Sequence, residues 1–397
     1  MRFRSRMQQI NPEKLFFLIT PRHVSEFLSF EGTLGEGGFG TVFKGKPTPA
    51  GHKLVPEMRP NKYYAIKMIR KPRRGGFAEE VAYSLLAVSP DRHLQYIHIM
   101  TGSEPLQNGI LGFIAAFVQP QQAVYQVMEM LEGPDLFDFL AQRSSKLEER
   151  IAAGLVKQML KAVNFLHRKV GALHRDIKPE NFGFIKPPIA GQPLPELKLF
   201  DLGLAWVLKD TVTDETAKTL LRIKRCGTAC YMAPEVWDGN TGPPSDVWGV
   251  GVVSYVVTSL EVPFKLMETK QPKMAIRTNP LSFSSRAWQN TSDHAKHFLE
   301  GLLDKNPDTR LTTVEALAHD WLQDARMGLP PIAEGENSNV SVDGQDVKPF
   351  QKALPSLPPK SKRSEAGLFE SMTFAPSMYF GETGTDTSAR ELSAQGG

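Results

Sequence analysis

The order of apolar and polar positions divides the chain into a first part with the pattern of strands and a second part with the pattern of helices. Strand-like runs cover residues 27–46, 61–69, 111–118 and 123–130, and the Gln-Pro-Gln-Gln segment at 119–122 predicts a hairpin between the last two. One helix candidate, 76–88, lies among these runs. The pattern therefore predicts a small β-rich unit with one main helix over about residues 28–130.

Beyond Gly133 the pattern is helical. Between residues 147 and 167, apolar side chains recur at a spacing that places them on one helix face, and residues 246–260, 292–304 and 312–322 follow the same spacing. Strands followed by helices are typical of an α+β protein. We therefore expect two lobes, the second larger and helical over about residues 135–322.

The two ends of the chain differ from this central part. Residues 1–27 are interpreted as an N-terminal arm ahead of the first strand. Residues 323–397 are rich in Gly, Ser, Pro, Asn and Glu, and their apolar residues have no period. Such a composition predicts a disordered tail.

Composition and charge narrow the class of protein. Of 397 residues 41% are hydrophobic and 23% charged, which allows a sizeable core and excludes collagen and wholesale disorder. A net charge of +4 gives no reason to expect a nucleic-acid partner. The longest apolar stretch, 247–257, is short of the ~18 residues of a membrane span, so no membrane partner is expected. Cys226 and Cys230 form no disulfide framework, which favours a cytoplasmic or nuclear location.

A glycine-rich segment near the start of the β-rich part predicts a phosphate-binding hairpin. Its sequence is Gly35-Glu36-Gly37-Gly38-Phe39-Gly40-Thr41-Val42, with strand-like sequence on both sides. Glycines allow the backbone to approach phosphate groups closely. Lys67 follows at the end of an apolar strand and is well placed to reach phosphate oxygens, beneath an apolar roof for a planar base formed by Leu34, Val42 and Ala65.

The stretch His174-Arg175-Asp176-Ile177-Lys178-Pro179-Glu180-Asn181 carries the clearest chemistry, and Asp201 follows in Leu199-Phe200-Asp201-Leu202-Gly203. Asn181 and Asp201 supply the oxygen ligands that Mg²⁺ prefers. Asp176 can accept a proton from an attacking hydroxyl. Lys178 can neutralise charge on a moving phosphoryl group.

These motifs, in this order, resemble those of the eukaryotic-type protein kinases over residues 28–322. The match extends to Ala233-Pro234-Glu235 and to Arg310, which resembles the arginine that pairs with that glutamate. Lys178 and Thr228 resemble the serine/threonine branch, and residues 127–138 resemble the hinge of the calcium/calmodulin-dependent kinase group. The resemblance implies a bilobal protein kinase fold and transfer of the γ-phosphoryl group of ATP, with Mg²⁺, to Ser or Thr hydroxyls of proteins.

The resemblance also implies a role for each matched residue. Those expected to hold ATP are Leu34, Gly35, Glu36, Gly37, Gly38, Phe39, Gly40, Val42, Ala65, Lys67, Met128, Glu129, Leu131 and Asp135. Met128 is the expected gatekeeper, Glu129 and Leu131 offer backbone groups to adenine, and Asp135 meets ribose or substrate. The residues expected to be structural are Glu79, Glu80, His174, Arg175, Thr228, Glu235, Asp246 and Arg310.

Several positions depart from the family pattern or leave alternatives open. The partner of Lys67 is either Glu79, which places apolar residues on one helix face, or Glu80, which with Val81 looks like the usual pair. Gly183 stands where the family usually has a bulky apolar floor under adenine, which weakens adenine packing or enlarges the pocket. The long connections 45–62, 89–109 and 186–195 are predicted surface loops.

The activation segment, 201–235, lacks the usual site of phosphorylation. Arg175 belongs to the type of arginine that pairs with a phosphate there, but the matched position is Lys224. Either a phosphate on an upstream threonine such as Thr219 takes its place, or the segment is ordered without phosphate. We expect the second.

Two further hypotheses concern activity and substrate. An active enzyme is favoured over a pseudokinase scaffold, because the chain has Lys67, Asp176, Asn181 and Asp201. Protein substrates are favoured over small molecules, because the chain has Ala233-Pro234-Glu235 and Thr228. Glu180 and Asp135 match positions that attract arginine in basophilic relatives. A moderate preference for a basic residue upstream of the target is therefore expected.

Overall fold

The computed structural model describes residues 23–323 except 38–39, 71–107, 120–122, 190–191, 209 and 224. The predictions for the helix 76–88 with Glu79 and Glu80, for Gly38 and Phe39, for Lys224 and for the tail from 324 lie outside the described residues. So do most of the N-terminal arm and of the connection 89–109.

The first part of the chain folds into an antiparallel sheet. Its strands, in the spatial order β1-β2-β3-β5-β4, are β1 (Leu28–Gly37), β2 (Gly40–Pro47), β3 (Tyr64–Arg70), β4 (Phe113–Gln119) and β5 (Ala123–Glu129). The strands β4 and β5 pair as the sequence predicts. One small core, which includes Leu28, Ile66, Phe117 and Val127, packs against this sheet.

The prediction of a surface loop over residues 45–62 is wrong. This connection contains a helix, α1 (Pro49–Leu54), and Met58 is 0% exposed in the core of the small lobe. Thr48 caps the helix by accepting a hydrogen bond from Gly51 N at 3.1 Å. Gly51 lies directly on the backbone of Phe27, where an added Cβ would be 2.0 Å from the carbonyl oxygen. The connection therefore packs on the core of the small lobe.

The second part is helical. Its helices are α2 (Leu136–Ala141), α3 (Glu149–Phe165), α4 (Pro243–Ser259), α5 (Pro272–Thr278), α6 (Asp293–Leu302), α7 (Thr313–Ala318) and α8 (Asp320–Gln323). Every residue of α4 is buried, because its side chains are apolar or small on all sides. The helices α3 and α6 pack against it. Within the described ranges, no helix has the length and apolar character to cross a membrane.

The single helix predicted over 312–322 is divided in two. His319 has extended backbone angles between α7 and α8, and its Nδ1 accepts a hydrogen bond from Trp321 N at 3.2 Å. The break turns the Trp321 indole into the core, where its Nε1 donates to Glu149 at 3.0 Å. This side-chain cap favours the end of α7 over its continuation.

Short strands between the lobes carry the loops of the site. The pairs are β6 (Ala172–Leu173) with β9 (Trp206–Val207) and β7 (Phe182–Phe184) with β8 (Leu197–Leu199). Residues 174–181 connect β6 to β7, and residues 200–205 connect β8 to β9. The predicted α+β bilobal architecture is confirmed, with the loops of the large lobe next to the sheet of the small one.

Candidate active site

The loop that follows β6 is attached to the first turn of the buried helix α4. Asp246 accepts hydrogen bonds from the backbone amides of His174 and Arg175, each at 2.8 Å, and from His167 Nε2 at 2.8 Å. Burial raises the pKa of Asp246, but the hydrogen bond and charge of His167 outweigh burial and hold the pKa below its usual range. Asp246 therefore stays ionised and fixes the backbone of the loop.

Asp176 lies at the centre of a small polar cluster. Its Oδ1 accepts from both the amide and the hydroxyl of Thr228, at 2.9 and 2.8 Å, and its Oδ2 is 2.8 Å from Lys178 Nζ. Burial lowers the pKa of Lys178, but Asp176 and Glu180 outweigh burial and raise the pKa above its usual value. The cluster therefore holds the carboxyl group of Asp176 beside an ammonium group that stays charged.

Lys67 reaches across the cleft to Asp201. Its Nζ lies 2.5 Å from Asp201 Oδ1, and its strand β3 places it opposite Val42 of the glycine hairpin. Burial raises the pKa of Asp201, but the charge and hydrogen bond of Lys67 outweigh burial and hold that pKa below its usual range. The cleft thus holds an ionised carboxylate and an ammonium beneath the glycine hairpin.

Asn181 and Asp201 form a donor set suited to a hard cation. The Nδ2 of Asn181 donates to Asp176 O at 2.7 Å, which leaves its amide oxygen as the remaining acceptor. The Phe200 amide donates to Asn181 O at 2.9 Å and so ties the two loops together. One ionised carboxylate and one amide oxygen fit Mg²⁺, which completes its coordination with water and phosphate oxygens.

The residues predicted to hold the nucleotide come from the sheet of the small lobe and from the segment that follows it. Among the described residues, they lie at the end of β1 and start of β2, on β3, at the end of β5 and in the segment before α2. Ala65 pairs directly with Met128 across the sheet, and Gly40 has φ +122, a backbone conformation that favours glycine. Asp135 caps α2, because its Oδ1 accepts from Asp138 N at 2.8 Å.

Glu235 and Arg310 form a buried bidentate ion pair. The guanidinium donates to the two carboxylate oxygens at 2.7 and 2.9 Å, and Arg310 is 0% exposed. Further donors of Arg310 bind the backbone oxygens of Asp304 and Pro244, and its guanidinium lies 5.0 Å from the Trp248 ring centroid. This pair joins the segment before α4 to the loop before α7.

The activation segment is held by contacts that the sequence did not reveal. Lys218 Nζ donates to the backbone oxygens of Asp308 and Arg310, both at 2.8 Å. The strand β10 (Leu221–Arg222) pairs with β11 (Asn240–Thr241). The partners of Lys218 are backbone groups 90 and 92 positions away in the sequence, so no local residue pattern indicates them.

These anchors predict that the activation segment is ordered without an added phosphate. We expect phosphatase treatment to lower activity only modestly and Thr219→Ala to lower it no further, because Lys218 and β10 hold the segment without an added anion. Lys218→Met should lower activity more than Lys270→Met at an exposed site. The rate of peptide phosphorylation is measured for the phosphatase-treated protein and for the three variants. Complete inactivation by phosphatase that Thr219→Ala reproduces would show that Thr219 is the latch.

The comparison with known families places this fold and site in one class. The family description "Protein kinase domain" matches residues 28–322, about three quarters of the chain. The chain therefore belongs to the protein kinase family. The family uses ATP and a divalent cation to phosphorylate proteins.

Similar proteins point to one group within that family. Calcium-dependent protein kinase 25 of Arabidopsis thaliana is 31% identical over 304 residues, which cover 76% of this chain and 51% of that protein. Death-associated protein kinase 2 of Homo sapiens is 33% identical over 306 residues, 75% of this chain and 72% of that protein. The predicted resemblance to the calcium/calmodulin-dependent kinase group is confirmed. The chain spans about half the length of the plant relative.

Proposed function

We propose that this protein is an active serine/threonine kinase that transfers the γ-phosphoryl group of ATP to hydroxyls of protein substrates with Mg²⁺. The observation that carries the proposal is the cluster of Asp176, Lys178 and Thr228, which faces the Lys67–Asp201 pair. The similarity to calcium-dependent and death-associated protein kinases agrees with it. These comparisons give no support to the pseudokinase alternative.

Each group has a chemical role in this proposal. Asp176 orients the substrate hydroxyl and receives its proton, and Lys178 offsets negative charge that develops beside it. Lys67 and the glycine hairpin position the phosphates. Asn181 and Asp201 would hold Mg²⁺, which when bound neutralises charge on the phosphate oxygens.

The test is phosphorylation of a degenerate peptide array by the purified protein with labelled ATP and Mg²⁺. We expect label on peptides with Ser or Thr and none on peptides that carry only Tyr. Substitution of EDTA for Mg²⁺ should abolish the label. Absence of label on any peptide would reject the proposed activity, and label on Tyr alone would reject the substrate class.

Glu180 is the proposed determinant of a basic residue upstream of the target. Its Oε2 atom is buried and has no hydrogen-bond partner in the part of the chain that the structure describes. Burial, together with the charges of Asp176 and Asp135, raises its pKa despite the opposing charge of Lys178. An arginine of the substrate would provide the missing partner for this carboxylate.

Glu180→Gln should reduce the preference for an Arg-containing over an Ala-containing peptide by about tenfold, because a charge-assisted hydrogen bond is lost. Glu148→Gln, at an exposed position, is the matched control. The preference should also weaken as the pH falls, earlier than for an ordinary glutamate, because an acid with a raised pKa loses its charge at higher pH. The ratio of kcat/KM for the two peptides measures both effects. An acidic or proline-directed preference of the wild type would contradict the assignment.

A further inference from the structure

The space that a side chain at position 183 would occupy is filled from two other segments. A Cβ added to Gly183 would lie 2.6 Å from Leu131 Cδ1 and 3.1 Å from Phe200 Cε1. Gly183 is buried on β7, where it pairs with Lys198 of β8. The glycine therefore does not simply enlarge the pocket, because two larger side chains converge on the missing volume.

This convergence lies at the floor of the cleft. Leu131 follows the end of β5, in the segment that links the two lobes. Phe200 immediately precedes Asp201, and its carbonyl accepts from His174 Nε2 at 3.0 Å. Leu131 thus approaches from the segment that links the lobes and Phe200 from the loop that carries Asp201, and both side chains are only partly buried.

We propose that Phe200 and Leu131 together form the surface on which the nucleotide base packs, in place of a side chain from β7, and that Phe200 determines nucleotide affinity. The inference rests on the proposed function and names specificity-determining residues of that site. A flat aromatic ring binds a purine by stacking, so the ring supplies more than volume.

The inference predicts that positions 183 and 200 compensate for each other. Gly183→Leu alone adds atoms where Leu131 and Phe200 already lie and should weaken ATP binding. Phe200→Ala alone removes the ring and should also weaken ATP binding. In Gly183→Leu/Phe200→Ala the added side chain takes the vacated volume, so the double variant should bind ATP better than either single variant.

The experiment is calorimetric titration of the full chain with ATP and with inorganic tripolyphosphate, which has the charge but no base. Phe200→Ala should weaken ATP binding about tenfold and leave tripolyphosphate binding unchanged, since only the base contacts the ring. Phe200→Leu, which is less disruptive, should have an intermediate effect. Phe283→Ala removes a ring that packs on Trp288 and serves as the control, with unchanged ATP affinity.

Kinetics separate this inference from the proposed function. In Phe200→Ala the KM for ATP should rise with little change in kcat, because the group that holds the hydroxyl is untouched. If Phe200→Ala weakens the binding of ATP and of tripolyphosphate equally, Phe200 acts by positioning Asp201, and the inference is overturned. A double variant no better than either single one would also overturn it. If the wild type binds ATP but labels no peptide, the proposed kinase activity is rejected, whereas the inference about Phe200 is not.

Discussion

Asp176→Asn is expected to leave a folded protein whose phosphotransfer rate falls by about 10²–10⁴-fold. Asparagine keeps the size of the side chain and an oxygen that can accept from Thr228, so the loop retains its shape. The amide cannot receive the proton of the substrate hydroxyl. Single-turnover phosphorylation of a Ser peptide measures the loss, and the melting temperature checks the fold. Wild-type phosphorylation by this variant would reject the role of Asp176.

Lys67→Met provides an independent test of the opposite wall of the cleft. The change removes the cation that lies 2.5 Å from Asp201, so the pKa of that carboxyl should rise toward the value that burial favours. The variant should lose phosphotransfer by orders of magnitude as well. The two losses should have different origins, because the proposed function assigns the substrate hydroxyl to Asp176 and the nucleotide to Lys67. Only Lys67→Met should weaken ATP binding.

Arg310→Met is expected to destabilise the large lobe by about 3–5 kcal/mol. The substitution leaves the carboxylate of Glu235, which is 7% exposed, without its bidentate partner. The same change removes donors to two backbone oxygens. The free energy of unfolding from urea titration measures the effect. Arg286→Met, at an exposed position, should change it by less than about 0.5 kcal/mol.

A second variant separates the buried charge from lost packing. Arg310→Met/Glu235→Gln removes the uncompensated charge and should be more stable than Arg310→Met alone. If Arg310→Met instead lowers the free energy of unfolding by less than about 1 kcal/mol, the pair behaves like a surface ion pair. The stabilising role assigned to Arg310 is then wrong.

Those parts of the fold that local pattern determines could be predicted from the sequence. The hairpin of β4 and β5 and the long helix α3 follow from turn residues and apolar spacing within short windows. The sequence could predict which residues form the clusters around Asp176 and Lys67, because these residues belong to recognisable motifs. The distances within the clusters could not be predicted, since Thr228 contacts Asp176 from a position 52 residues away in the chain.

Two errors show where local pattern fails. The helix α1 has six residues, too few for a periodic apolar face, although Thr48 and Pro49 are typical of a helix start. The break at His319 is hidden because apolar residues continue at helical spacing on both sides of it. In both places tertiary packing, of Met58 and of Trp321, decides the backbone path.

The attachment of the catalytic loop to Asp246 has a consequence for hydrogen exchange. The amide protons of His174 and Arg175 point at a carboxylate that is 2% exposed, at the start of a helix with no exposed residue. We expect these protons to exchange with deuterated solvent slowly, at rates close to that of global unfolding. The Thr213 amide, bonded to an exposed Thr216 hydroxyl, should exchange through local opening. We therefore expect the loop that carries Asp176 to be as long-lived as the large lobe, although neither amide belongs to regular secondary structure.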